Sequence, residues 1–254
     1  MKKYEFTGET RSIEVGFRIA ILHRIRATVA FGIVKAGELG GWVEKEENLS
    51  HEGKAWVWGN AKVWGNAKVW GNAEVWGNAK VWGNAKVWGN AKVCGDAEVC
   101  GDAKVCGDAE VFSASHVLVI GAIGSRNSFT TFYRDKDNEI TVKCGCFLGK
   151  VDKFLEKVTQ THGDTKYALV YRSAVEVAKL QIDLTLKKQF EVGDKVRIIS
   201  KKDNNIELNY NDDMEQYLGT VMTVAEVRGG GCRMVEDNGL WFWDNYRIVG
   251  KAEE

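Results

Sequence analysis

A six-residue pattern of apolar and polar positions runs without interruption over residues 55–114, as ten consecutive hexads. Each hexad holds an alanine and a valine in alternation with polar or aromatic residues, and nine of the ten end in glycine followed by asparagine or aspartate. Side chains alternate across a strand, so Ala61 and Val63 face one way while Lys62 and Trp64 face the other. Glycine and asparagine tolerate left-handed backbone and would break a helix. The pattern therefore predicts short β-strands joined by tight corners, with alanine and valine inside.

The same pattern resembles the hexapeptide repeat of left-handed parallel β-helices. In that family three hexads form one triangular coil, which implies that residues eighteen positions apart stack on each other. We therefore predict a mainly β protein with a left-handed parallel β-helix over residues 49–127. Leu49 and His51 fit the alanine and valine positions of an imperfect first hexad, and residues 115–123 fit a further coil. Residues 1–48 are expected to form an N-terminal β cap, because the open end of a solenoid has to be covered.

Stacking at this interval sorts the outward side chains into columns. Neighbouring coils lie about 4.8 Å apart, which is compatible with offset stacking of indole rings. The aromatic columns are Trp58, Trp76, Cys94 and Phe112; Trp64, Trp82 and Cys100; and Trp70, Trp88 and Cys106. The charged columns beside them are Lys62, Lys80 and Glu98; Lys68, Lys86 and Lys104; and Glu74, Lys92 and Glu110.

The six outward tryptophans, Trp58, Trp64, Trp70, Trp76, Trp82 and Trp88, form a larger apolar surface than a monomer usually exposes. Tandem duplication is one explanation, with lysines shielding the rings through cation–π contacts. Burial in a homo-oligomer, for which a trimer is favoured, or against other parts of the chain is a second. A platform on which a nucleotide or glycan ligand stacks is a third. The presence of indoles in all three columns favours the first two, because a binding site usually marks one face.

The remainder of the chain predicts two further modules. Residues 128–184 alternate like a β-hairpin and then show two helices, near 152–162 and 164–182, with a buried face at helical spacing. Residues 185–254 resemble an SH3-like barrel, chiefly through the order of their β-rich stretches. Trp241 and Trp243 are expected on one face of its last strand, where they could line a groove or fill the barrel. The second helix is expected to bury Ala168, Tyr171, Val175 and Ala178.

The composition indicates more about the cellular location of the protein than about its function. The 35 basic and 35 acidic residues cancel, so no global field favours nucleic acid or an anionic membrane, although a neutral average can hide local patches. Charged residues interrupt the apolar stretch 13–34, which excludes it as a membrane span. Six cysteines without a secretory signal indicate reduced thiols. We therefore expect a cytoplasmic protein with no membrane partner.

The cysteine, histidine and acidic clusters have weak metal-binding signatures. Cys94, Cys100 and Cys106 lie in three different columns, too far apart to bridge or to share one metal. Cys144, Cys146 and His162 could hold zinc, but their spacing is not that of a common zinc motif and packing is the favoured interpretation. Residues 135–139 lack the glycine and distal glutamate of a calcium loop and favour a hairpin turn. We predict no metal and no cofactor.

Many left-handed β-helix proteins are acyltransferases with a catalytic histidine between trimer subunits. His51, expected to point inward, and His116, expected to point outward, are the candidates that this resemblance implies. No loop interrupts the coils to build an acyl-donor site, and no nucleophile triad or phosphate loop is found in the sequence. We therefore predict that the protein is not an enzyme, with an acyltransferase as the second alternative.

The whole arrangement is similar to hexapeptide-repeat proteins of uncharacterised function from phages and prophages. The stretches that carry the similarity are Met1–Gly8, Leu39–Ser50, Ile123–Asn127, Cys144–Phe147 and Thr161–Asp164. The resemblance implies a structural or binding protein in the cytoplasm of a bacterial host, with the β-helix as a rigid stem or oligomerisation element. The first alternative is a protein that binds a small nucleotide or glycan, such as a counter-defence protein that sequesters a signal.

Overall fold

The computed structural model describes residues 2–184, 190–198, 214, 216–228, 231–239, 241, 243–244 and 248–252. The chain divides into two compact units, residues 1–184 and 185–254. The larger unit contains a β-solenoid of about four turns, preceded by a β-hairpin and followed by a four-stranded sheet with two helices. The smaller unit is a β-sheet. The prediction of a mainly β protein with a β-helix and two helices is confirmed.

Ten two-residue strands, one in each hexad, form the body of the solenoid. They pair in parallel at an interval of eighteen residues; Lys62, for example, pairs with Lys80, and Val63 with Val81. The predicted stacking of every third hexad is therefore confirmed. The strands are β4 Trp56–Val57, β5 Lys62–Val63, β6 Lys68–Val69, β7 Glu74–Val75, β8 Lys80–Val81, β9 Lys86–Val87, β10 Lys92–Val93, β11 Glu98–Val99, β12 Lys104–Val105 and β13 Glu110–Val111.

The interior of the solenoid holds only alanine and valine from these hexads, and all of them are buried. The corners turn at glycine, whose φ lies between 53° and 76° from Gly59 to Gly107, whereas the asparagine or aspartate that follows does not take a positive φ. Space also requires glycine at some corners. A Cβ on Gly89 would lie 2.8 Å from the backbone nitrogen of Gly107 in the next coil.

The N-terminal residues extend one face of the solenoid. Strands β1 (Tyr4–Val15) and β2 (Arg18–Ala27) form an antiparallel hairpin, β2 pairs with β3 (Leu39–Val43), and β3 pairs in parallel with β5. Tyr4 and Trp56 are buried in the same apolar cluster as the interior valines and alanines. The hairpin and Trp56 therefore close the N-terminal end of the stack.

The first coil is two residues longer than the others. Val43 pairs with Val63 and Leu49 with Val69, both at an interval of twenty residues. The predicted register, which gave the valine position to His51, is wrong, because Leu49 occupies that position and is buried. His51 is partly exposed instead and stacks on Tyr4 with ring centroids 4.3 Å apart.

The C-terminal end of the stack is closed by a separate sheet. Strands β14 (Val117–Ile123), β15 (Ser128–Arg134), β16 (Ile140–Cys144) and β17 (Phe147–Lys150) pair antiparallel in chain order. The prediction that residues 115–123 continue the solenoid is wrong, because β14 pairs with β15 and not with a coil. The predicted hairpin of β15 and β16 is present, with two further strands around it.

Two helices pack on this sheet. Helix α1 spans Val151–His162 and ends at Gly163, whose φ is 53°, and α2 spans Lys166–Gln181. The face of α2 predicted to be buried is buried against Phe154 and Val158 of α1 and against Phe132 of β15. Neither described helix combines the length and the apolar character needed to cross a bilayer.

The smaller unit is a five-stranded antiparallel sheet, in which the last described strand lies at an edge beside the first. Its core contains Met222, Cys232 and Trp243. A barrel closure of SH3 type stays a prediction. The strands are β18 Lys195–Ile198, β19 Val221–Arg228, β20 Gly231–Met234, β21 Trp243–Asp244 and β22 Ile248–Lys251.

Candidate functional site

The outward indoles are the largest candidate site, and two of their three columns stack as predicted. The rings of Trp64 and Trp82 lie 5.1 Å apart at an interplanar angle of 3°, and those of Trp70 and Trp88 lie 4.9 Å apart at 1°. In the third column Trp58 contacts Trp56 edge-on at 6.4 Å. Although the hexads are nearly identical, the three faces of the solenoid differ in what surrounds these rings.

The first face, here called the hairpin face, carries Lys62, Lys80 and Glu98 on β5, β8 and β11. Leu22 of the N-terminal hairpin packs against Trp42 and Trp64, with Trp82 partly buried beside them. Trp64 is therefore only 7% exposed. Its indole points out of the solenoid, as predicted, but the chain itself covers it, and Trp64 cannot serve as an open stacking platform.

The second face, here called the mixed face, carries Glu74, Lys92 and Glu110 on β7, β10 and β13. Lys92 pairs with Glu110 at 3.1 Å. Burial raises the pKa of the Glu74 carboxyl, and the nearby Lys92 opposes this shift. Trp58 and Trp76 are partly exposed along this face. It therefore combines charges of both signs with two accessible indoles.

The third face, here called the lysine face, carries Lys68, Lys86 and Lys104 on β6, β9 and β12. Trp70 and Trp88 are partly exposed beside them. No ion pair joins any of these three lysines to another residue within the part of the chain that the structure describes. On the hairpin face, by contrast, Lys80 pairs with Glu98 at 2.9 Å.

The asparagines at the corners form ladders that the hexad pattern alone did not indicate. The side-chain amides of the five corner asparagines from Asn66 to Asn90 each donate to the side-chain oxygen of the residue eighteen positions later, as Asn66 does to Asn84 at 3.3 Å and Asn84 to Asp102 at 3.2 Å. The ladders end where the repeat changes from asparagine to aspartate, a residue that can accept but not donate. The corner residues therefore hold neighbouring coils together as well as turning the chain.

The cysteines that follow the tryptophans in the columns are free thiols. Cys94 and Cys106 are buried, because segments that follow the solenoid cover them. The Cys106 thiol lies 3.5 Å from the Tyr133 hydroxyl, and burial raises its pKa although Tyr133 and Lys143 oppose the shift. Cys94 and Cys106 are therefore shielded from solvent, although they occupy outward positions of the repeat.

A shallow cavity of about 180 Å³ lies where the last coil meets the sheet. Its wall includes the turn at residues 135–139, in which Lys150 pairs with Asp135 at 2.7 Å, Asp137 at 3.1 Å and Glu139 at 2.7 Å. Burial lowers the pKa of Lys150, but these three carboxylates outweigh it and the pKa is raised. The acidic cluster therefore surrounds an ammonium group, and the predicted hairpin turn is confirmed.

Of the three residues considered as zinc ligands, Cys144 and Cys146 do not lie along one strand. Cys144 ends β16, Gly145 turns the chain with a φ of 56°, and Cys146 is exposed in the turn. The ring of His162 stacks on Tyr171 at 5.8 Å. Within the described ranges, no group of three histidine, cysteine or acidic side chains could hold a metal ion.

The two candidate histidines are held by contacts within the fold. His116 is buried, contrary to the expectation that it points outward, and its Nδ1 accepts a hydrogen bond of 3.1 Å from the backbone of Phe112. The Nδ1 of His51 accepts one of 3.2 Å from the backbone of Lys3.

The two C-terminal tryptophans have different surroundings. Trp243 is buried and donates its indole N–H to Asp237 at 2.6 Å, whereas Trp241 is partly exposed at the edge of the same core. Trp243 therefore fills the core, and only Trp241 remains available to a groove.

No protein-family model and no curated protein matches the chain. What it does must therefore be inferred from its own residues.

Proposed function

We propose that this is a non-enzymatic structural or binding protein of phage or prophage type, in which a left-handed β-helix of hexapeptide repeats is a rigid stem for terminal recognition modules. The observation that carries the proposal is the uninterrupted solenoid with a filled interior. Only alanine and valine occupy the inside of its hexads, and aromatic residues close both ends. Such a stack has no internal cavity for a ligand and no inserted loop for catalysis.

The environment of the histidines also favours a non-enzymatic role. A general base must reach the proton that it removes, and the acceptor nitrogen Nδ1 of both His51 and His116 is already bonded to the backbone. Both rings also pack against aromatic neighbours, Tyr4 and Phe112. These contacts suit residues that fix the ends of a solenoid.

We further propose that the stem assembles as a homo-oligomer, preferably a trimer, through the mixed face. The hairpin face is covered by the chain's own residues, and the lysine face would bring like charges together. The mixed face offers partly exposed Trp58 and Trp76 beside Glu74 and Lys92, so that apolar contacts and ion pairs of opposite sign can form between copies.

The terminal module that we assign to recognition is residues 185–254, as an SH3-like domain. Five antiparallel strands around a buried Trp243 support the assignment, and the partly exposed Trp241 is the aromatic residue available for a partner peptide. The six free cysteines and the phage resemblance support a location in the cytoplasm of a bacterial host as part of this proposal.

Sedimentation equilibrium of the full chain tests the assembly. We expect the mass of three chains for the wild type and for Trp88→Glu, which places the same change on the lysine face. Trp76→Glu, on the mixed face, should lower the mass toward one chain. A wild-type monomer at all concentrations, or dissociation by Trp88→Glu alone, would overturn the trimer through the mixed face.

A further inference from the structure

The lysine face is the one face of the repeat whose charged column holds lysine alone, whereas each of the other two columns includes a glutamate. Lys68 pairs directly with Lys86, and Lys86 with Lys104, so three ammonium groups follow one another in adjacent strands. Like charges in this arrangement destabilise a sheet. The equivalent column of the mixed face alternates in sign, and that of the hairpin face ends in a glutamate that pairs with Lys80.

The row of cations continues beyond the solenoid. The backbone N–H of Lys104 donates to the hydroxyl of Thr131 on β15 at 3.0 Å, and Thr131 pairs with Lys143 on β16. The ammonium of Lys143 donates to the carbonyl of Gly145 at 2.7 Å, and it opposes the rise in the pKa of the Cys106 thiol at the end of the Trp70 column. A fourth ammonium group therefore lies at the C-terminal end of this face.

Of the two aspartates at the corners that adjoin this face, one is paired with a cation and the other is not. Asp108 pairs with Lys136 at 2.8 Å, and Asp102 accepts the amide of Asn84 at 3.2 Å. Asp102 keeps its negative charge, because the amide is neutral, but one carboxylate does not balance three ammonium groups. The lysine column therefore retains an excess of positive charge.

The partly exposed aromatic rings stand beside this column. Trp70 and Trp88 are stacked on each other, and the N-terminal hairpin that buries Trp64 does not cover them. A straight line of cations at coil spacing, extending about 10 Å over three strands, suits a linear polyanion better than one compact anion, because the side chains run in register. Rings beside the line can stack with planar groups of that polymer.

We propose that the lysine face binds single-stranded nucleic acid, with phosphates along Lys68, Lys86 and Lys104 and bases against Trp70 and Trp88. This surface is separate from the mixed face, so binding does not depend on whether the stem forms a trimer. The net charge of zero for the whole chain hides this local patch.

The test uses the full-length protein and a fluorescently labelled oligothymidylate, with anisotropy measured over a range of salt concentrations. We expect Lys86→Gln to weaken binding several-fold and to reduce the slope of log affinity against log salt by about 0.7, the change for one lost phosphate contact. Lys80→Gln is the matched control, since it makes the same change at the equivalent position of the hairpin face. It should leave both quantities unchanged.

The aromatic part is tested by Trp88→Leu, which should weaken binding about tenfold. Circular dichroism establishes that each variant keeps its strands, and sedimentation establishes that Lys86→Gln keeps the wild-type mass. Equal losses from Lys86→Gln and Lys80→Gln would overturn the proposal. So would the absence of oligonucleotide binding, or binding of a sulfated polysaccharide in its place.

Discussion

The hydroxyl of Tyr133 donates a hydrogen bond of 2.9 Å to the backbone carbonyl of Cys106, at the point where the solenoid ends. The ring of Tyr133 is fully buried in the same cluster as the interior valines. Burial raises the pKa of the phenol, so it remains a donor at any physiological pH. One residue of β15 therefore both fills the open end of the last coil and joins it to the following sheet.

Substitution of Tyr133 should separate these two contributions. Tyr133→Phe removes only the hydrogen bond and should lower the free energy of unfolding by about 1 kcal/mol. Tyr133→Ala also empties the end of the coil and should lower it by roughly 3–5 kcal/mol. Urea titration followed by tryptophan fluorescence measures both. Tyr167→Phe, at a partly exposed ring on α2, is the control and should change nothing; equal stability of Tyr133→Ala and wild type would refute the sealing role.

Two corner glycines offer a matched test of how closely the coils approach. Gly59 and Gly89 both have a positive φ, 53° and 76° respectively, so alanine at either is strained by about 1–2 kcal/mol. A Cβ at Gly59 has no heavy atom within 4 Å, whereas one at Gly89 meets the backbone of Gly107 at 2.8 Å. Gly89→Ala should therefore reduce the thermal midpoint clearly more than Gly59→Ala. Similar midpoints for the two variants would contradict the coil spacing.

A single substitution in the N-terminal hairpin should expose the Trp64 indole on the hairpin face to solvent. Leu22 is buried against Trp64, while its neighbour Ile21 points away from the solenoid and is 43% exposed. Leu22→Ala should increase acrylamide quenching and shift tryptophan emission to longer wavelength, because water reaches the indole. Ile21→Ala should leave the spectrum unchanged. If both variants match the wild type, Trp64 is not covered by the hairpin.

Lys3, at the N-terminal end of the solenoid, should make the free energy of unfolding increase with pH. Its ammonium donates to the carbonyl of Ala55 at 2.7 Å, and burial lowers its pKa from 10.5 to about 8. Between these values the unfolded chain binds a proton that the folded chain has released, so this residue's contribution to stability rises with pH, by up to about 1.4 kcal/mol per unit. Below pH 8 the full penalty of burying the charge is present.

The Lys3 effect is isolated by comparison with Lys3→Met, since cysteines and tyrosines also titrate in this range. Urea titrations at pH 7, 8, 9 and 10 give the free energy of unfolding of both proteins. The wild-type value minus the Lys3→Met value should be constant below pH 8 and increase above it. A difference that stays constant up to pH 10 would show that Lys3 keeps its ordinary pKa.

The repeat itself could be predicted almost completely from the sequence, because its inward and corner positions have the same environment in every hexad. Ala61 and Val63 had to face inward, and Gly65 had to turn the corner. The first coil could not be predicted in this way, because residues 39–54 form a strand and a short 3-10 turn at Glu46–Asn48 instead of hexads. Because the hexad pattern is absent there, the predicted register of Leu49 differs from the observed one by two residues.

The candidate sites were harder to predict, because contacts with distant parts of the chain determine whether their side chains are exposed. Nothing local to Trp64 distinguishes it from Trp70, yet Leu22, more than forty residues earlier, buries the former. His116 likewise belongs to a turn outside the repeat, where alternation no longer gives the direction of a side chain. The lysine column could be read from the sequence. Its lack of ion pairs within the described residues became clear only from the structure, in which lysines of the other two columns pair with glutamates.

Residue-resolved amide hydrogen exchange shows whether the hexads form one rigid stem. The amide of Lys86 donates to the carbonyl of Ala103 at 2.9 Å, and that of Trp82 to Val99 at 3.0 Å. In a stack whose coils support one another, these central amides should exchange only through unfolding of the whole solenoid, with one common free energy. Fast exchange at either amide, or a separate low free energy for a single central coil, would contradict the stem.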